Sequence, residues 1–222
     1  MSKLFTISML WLVGITSWAQ NTISGVWYSP KTMEVFVITK GKTPQSIGKV
    51  YYGKQAEKFV EIPVVSQVKT KNQNELMQAY YQAKIGTATE TIDLTFTLSV
   101  AGEILERRNA GKKADFGLIS NKVNEATITN ASVRLHVTDF LVNNKFSQGT
   151  DQLTFKGTDN NLKAVFKGKE ADVKLSPNGQ IISFNIAPWG AVKARLRVEG
   201  AWMLDISQAS DDKKVVSLVA ED

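Results

Sequence analysis

The chain holds one histidine, His136, three residues before Asp139, and no cysteine. A serine triad would have to run through that histidine, yet no Gly-x-Ser-x-Gly elbow presents a nucleophile to it. A histidine metal cage needs more than one imidazole. An oxygen-only site remains open to Asp and Glu, but no spacing picks out a ligand set, so no metal and no cofactor are expected. Glycoside hydrolysis would need two facing carboxylates. Glu61, Glu103, Glu106, Asp139, Glu170 and Glu199 are available, and nothing singles out a pair. The stretch from Gly48 to Gln55 approaches a phosphate loop, but it ends in Gln where Ser or Thr must meet magnesium. Asp115-Phe116-Gly117 matches a kinase triplet without the rest of that signature. No catalytic residue is assigned, and the sequence does not read as an enzyme.

Aromatic side chains are the remaining candidates for recognition. Trp189 lies in Pro188-Trp189-Gly190, a turn where packing rarely demands a tryptophan. In Tyr51-Tyr52 and Tyr80-Tyr81 alternation sends one ring inward and one outward. Trp189, Tyr51 and Tyr80 are therefore the candidate ligand contacts, with core filling and plain surface exposure as the competing explanation.

These residues ride on segments with a period of two. Ile92, Leu94, Phe96, Leu98 and Val100 alternate with polar residues, as do Ile182, Phe184 and Ile186, and Ala194, Leu196 and Val198. Val133, Leu135 and Val137 follow the same rule, which puts His136 on the opposite face of a strand over 132–137. Further strands are expected near 24–29, 33–37, 48–53, 58–69, 103–108, 152–157, 162–167, 171–175 and 213–219. Turns are expected at Lys40-Gly41-Lys42, Ala101-Gly102, Asp159-Asn160-Asn161 and Ser176-Pro177-Asn178-Gly179. The segment from Asn74 to Lys84 fits a strand or an Asn-capped helix, and its neighbours favour a strand. The expected fold is all-β: an antiparallel meander of about 10–12 strands closing into a barrel or folding into a two-sheet sandwich. The polar span 107–126 reads as a long crossing loop or as the division between two smaller units.

The N-terminus carries an export signal. Lys3 precedes an uncharged run from Leu4 to Ile15, and Ser17-Trp18-Ala19 supplies the small residues of a cleavage site. Residues 1–19 are read as a signal peptide and 20–222 as a single β domain. No transmembrane segment remains after cleavage, because the apolar run is shorter than the roughly 20 residues a bilayer requires. Without cysteine there is no lipid anchor, so the chain is expected to be periplasmic or secreted. The net charge of +6 falls to +5 once Lys3 is removed. The lysines are scattered, which argues against nucleic acid as a partner.

The mature chain opens Ile23-Ser24-Gly25-Val26-Trp27-Tyr28-Ser29. Glycine, any residue and tryptophan at the head of the first strand resembles the opening of calycin barrels: the lipocalins, fatty-acid-binding proteins and avidins. The resemblance implies structural roles for Gly25 and Trp27 at the barrel floor. It also implies that Arg195 or Arg197, from a late strand, packs across the indole. Its functional implication is a bacterial-envelope binding module for a small apolar or amphipathic ligand or for a partner. The alternative is a structural or interaction protein of the envelope with a filled core.

Overall fold

The computed structural model describes residues 24–42, 47–54, 59–62, 75–85, 88–98, 104–109, 112–123 and 130–221. The expected signal segment lies outside them. The fold is all-β, with one helix among the described residues, and their strands form two antiparallel sheets.

The first sheet holds eight strands: β1 (Gly25–Ser29), β2 (Glu34–Lys40), β3 (Ile47–Lys54), β4 (Val60–Ile62), β5 (Glu75–Ile85), β6 (Ala88–Leu98), β7 (Ile104–Asn109) and β8 (Lys112–Ser120). Their order is β4-β3-β2-β1-β8-β7-β6-β5. The meander therefore returns on itself, with β8 beside β1 through a register shift at Val26/Trp27. The ambiguous segment ending at Lys84 is the strand β5. The span 107–126, expected as a loop, instead contains the end of β7 and all of β8. Its alternation of Lys113, Ala114, Asp115 and Phe116, exposed then buried, is a strand signal that Gly111 and Gly117 disguise as loop composition.

β1 is buried on both faces. Val26 and Tyr28, with Val35, Val37 and Ile119, face the remainder of the molecule. Trp27 lies fully buried on the other face. There Phe36 packs against Tyr52 and Phe116, with ring centroids 5.1 and 5.2 Å away. The hydroxyl of Tyr52 donates to Glu34 Oε1 over 3.2 Å, satisfying polar groups that burial would otherwise penalise.

The second sheet contains β9 (Lys145–Gln148), β10 (Asp151–Lys156), β11 (Lys163–Phe166), β12 (Lys169–Asp172), β13 (Lys174–Leu175), β14 (Ile182–Ile186), β15 (Gly190–Glu199), β16 (Ala201–Gln208) and β17 (Lys214–Glu221). β17 pairs with β9, again joining last strand to first. β12 and β13 form one strand kinked at Val173, whose N–H bonds the Leu162 carbonyl over 2.9 Å. The first half of this strand pairs with β11 and the second half with β14. The chain itself thus closes a ring, and the sheet is barrel-like. The Ser176–Gly179 turn is held by Asn178 Oδ1, which accepts from the Gln180 N–H over 3.1 Å and from the Ser176 hydroxyl over 2.8 Å.

The expected strand at 132–137 is part of a helix, α1 (Asn130–Asn143). Val133, Val137, Phe140 and Leu141 are buried at i, i+4, i+7 and i+8 spacing. Val133 and Val137 satisfy a period of two and a helical period alike, whereas Leu135 stands exposed. Asn144 Nδ2 ties off the helix end at the Phe140 carbonyl over 2.7 Å. Arg134 and Thr138 hold Asp159 of the β10–β11 turn, with Arg134 Nε 2.7 Å from the carboxylate. One apolar cluster runs from β1 and β2 through α1 into the second sheet. Inside it Phe140, Phe146, Phe155 and Phe184 touch in series with edge-on geometry. Such pairs add about 0.5–1.5 kcal/mol each beyond area burial.

Candidate functional site: a charged cleft between the sheets

Trp202 forms the joint between the two sheets. Its indole occupies the space beside Gly117 of β8, where an added Cβ would come within 2.5 Å of Cζ2. Its Nε1–H donates to the Leu118 carbonyl over 3.0 Å, and the ring of Phe140 of α1 packs against it at a tilt, centroids 4.8 Å apart.

Beside this joint the sheets part to form a cleft of about 620 Å³. One wall comes from the first sheet: Ser29 at the end of β1, Lys31 in the following turn, Glu106 of β7, and Lys113 and Asp115 of β8. The facing wall comes from the outer surface of β15 and β16: Arg195, Arg197, Glu199 and Asp205. Alternation explains that wall. Val192, Ala194 and Leu196 point into the barrel, which turns the intervening charged side chains outward.

Most of these charges neutralise one another. Arg197 Nε lies 2.7 Å from Asp205 Oδ2, and its guanidinium also meets Glu199. Asp205 accepts in addition from the Ser217 hydroxyl. Lys113 pairs with Glu106 at 3.2 Å. Arg195 is held loosely, 3.9 Å from Asp212. Lys31 and Asp115 make no ion pair among the described residues. Ser29 is almost wholly buried, and its hydroxyl has no hydrogen-bond partner among the described residues.

The structure places the sequence-derived candidates apart. Arg195 and Arg197 come together in the cleft, engaged with carboxylates. Gly25 starts β1 tightly against β8, where an added Cβ would overlap the Leu118 side chain and lie 2.9 Å from the Ser120 carbonyl. Trp189, expected to stand free in its turn, is half-buried and packs against Phe166 with ring centroids 4.4 Å apart and planes tilted by 44°. Tyr51 packs against the shared core from β3. Tyr80 lies on β5, with its side chain outside the described residues. Neither Trp189 nor Tyr51 borders the cleft.

His136 lies on α1, and burial lowers its pKa against the opposing pull of Asp139. No cluster of metal-ligating side chains occurs among the described residues. No helix among them is long and apolar enough to cross a membrane. The chain matches no family model, no curated protein and no solved structure.

Proposed function

We propose that this protein is an exported binding module of the bacterial cell envelope, whose ligand or partner enters the cleft between the two sheets. The observation that carries this reading is the cleft itself. Its volume falls within the roughly 300–1,000 Å³ usual for small-molecule sites, and polar groups from two separate sheets converge on it. Export is supported by Lys3, the apolar run to Ile15 and the small residues around Trp18. The calycin-like reading is supported by Gly25-Val26-Trp27 and by meanders that pair last strand with first. The phenylalanines packed in series inside the second sheet favour a polar ligand in the cleft over an apolar ligand in the barrel interior.

The same filled interior also favours one second reading, an envelope structural or interaction protein with no small ligand. Amide chemical-shift mapping separates the two readings. Under the first, charged fragments at millimolar concentration shift residues 29–31, 113–115 and 195–199. If none of a fragment set covering anions, cations, neutral polar compounds and fatty acids shifts those amides, the structural reading replaces it. Mass spectrometry of the exported protein tests localisation. A mature chain beginning at Gln20 is expected, and an intact Met1–Ala19 in the exported product overturns the assignment.

A further inference from the structure

We infer that the outer edge of β5 is a self-association surface, along which a second copy of this chain adds its own β5 antiparallel to the first. The inference is independent of the cleft and of what the cleft binds.

The two ends of the first sheet differ. β4, at one end, spans 3 residues and carries Glu61. β5, at the other, runs for 11 residues, and from Leu76 to Ala83 it has no charge, proline or glycine. Those residues, or a short strand, are what normally blunt a sheet edge. No strand among the described residues pairs with the outer side of β5. Its hairpin with β6 also overhangs the sheet. β6 pairs with β7 only from Thr95 to Leu98. From Ala88 to Leu94 its one neighbour among the described residues is β5. A two-stranded ribbon is marginal in water, and further strands are what stabilise it.

The order of residues along β5 suits its own copy. Met77, Ala79 and Tyr81 stand across from Phe96, Leu94 and Ile92, and Gln78, Tyr80 and Gln82 from Thr95, Asp93 and Thr91. Strand alternation gives the hairpin one apolar face and one more polar face. When two β5 strands overlap fully, Glu75 meets Ile85 of the second copy and Tyr80 meets its own counterpart on the two-fold axis. Met77 then meets Ala83, Ala79 meets Tyr81, and Gln78 meets Gln82. The apolar positions stay on one face across the seam, which a slip by one residue would reverse. No charge faces a like charge. The overhanging half of each hairpin comes to lie beside the base of the other, which its own β6 and β7 back, so each copy supplies the strands that the other's ribbon lacks.

The experiment is sedimentation velocity on the mature protein at micromolar concentration. The wild type is expected to sediment as a dimer. A monomer would overturn the inference, because the edge would then be covered within its own chain. Two double variants test the register: Gln78→Lys with Gln82→Lys, and Gln78→Glu with Gln82→Glu. Each sets like charges directly opposite one another across the seam and should weaken self-association about tenfold. Mixed in equal parts, the lysine and glutamate variants should recover the dimer, which also demonstrates that both are folded. A dimer unmoved by either variant, or no recovery on mixing variants whose far-ultraviolet dichroism is native, overturns the assignment. If the dichroism shows the variants misfolded, Tyr80→Cys decides. In a chain without cysteine, its thiol should join two copies by a disulfide under air oxidation faster than that of Lys169→Cys on β12, and equal rates would overturn the inference.

Discussion

Tyr28 is a phenol that the fold keeps from ionising. Burial pushes its pKa far above the ordinary value near 10, and among the described residues its hydroxyl meets only Met33 Sδ, 3.6 Å away. Above about pH 10 the unfolded chain releases this proton and the folded chain retains it. Stability is therefore intact below that pH and falls as pH rises beyond it. The wild type should lose urea resistance between pH 9 and 11 faster than Tyr28→Phe, and parallel curves would refute the assignment. His136 titrates at the other end. Its lowered folded pKa means that the unfolded state takes up the proton first, so its contribution is present above about pH 6.5 and is lost as pH falls below that. His136→Gln should flatten the stability profile between pH 7 and 5. Trp27, with no exposed surface among Phe36 and its aromatic neighbours, should cost about 3–5 kcal/mol on truncation to alanine. A loss under about 1 kcal/mol in urea melts would show that the indole does not anchor the first sheet.

At the scale of elements, the weight falls on the contact between β8 and β16. Gly117 is required there because the Trp202 indole occupies the space a side chain would fill. Gly117→Ala should destabilise by about 1–3 kcal/mol, as overpacking does. Trp202→Phe, which shortens the ring, should recover part of that loss in the double variant, and strictly additive losses would argue against direct contact. The same glycine explains a misreading. In sequence it resembled loop punctuation, and the strand around it was hidden. Strands with uninterrupted alternation, such as 182–186 and 194–198, were legible because one apolar face dictates the register. The helix was not, because Val133 and Val137 serve both periods and β-branched residues favour strands. Only the burial of Phe140 and Leu141, set by tertiary packing, decides between them.

For the whole molecule, the apolar cluster spanning both sheets and α1 implies joint unfolding. Tryptophan fluorescence and far-ultraviolet dichroism should report one coincident urea transition, and two separated transitions would show that each sheet stands alone. The cleft was illegible in sequence for a related reason. Its charges come from positions as distant as Lys31 and Asp205, joined only by the packing of one sheet on another, and each looked like ordinary surface polarity. The return of β8 to β1 and of β17 to β9 also sets the order in which the chain can mature. A chain emerging from its N-terminus can complete the first meander once Ser120 has emerged. The second meander must wait, with β9 exposed as a free edge, until β17 arrives about 70 residues after it. Contacts that distant form slowly, and a free strand edge invites pairing with other chains. While the chain is being made, then, the vulnerable species is a half-built one, its first sheet finished and its barrel still open along Lys145–Gln148, and a holdase with affinity for extended strands would act on that edge.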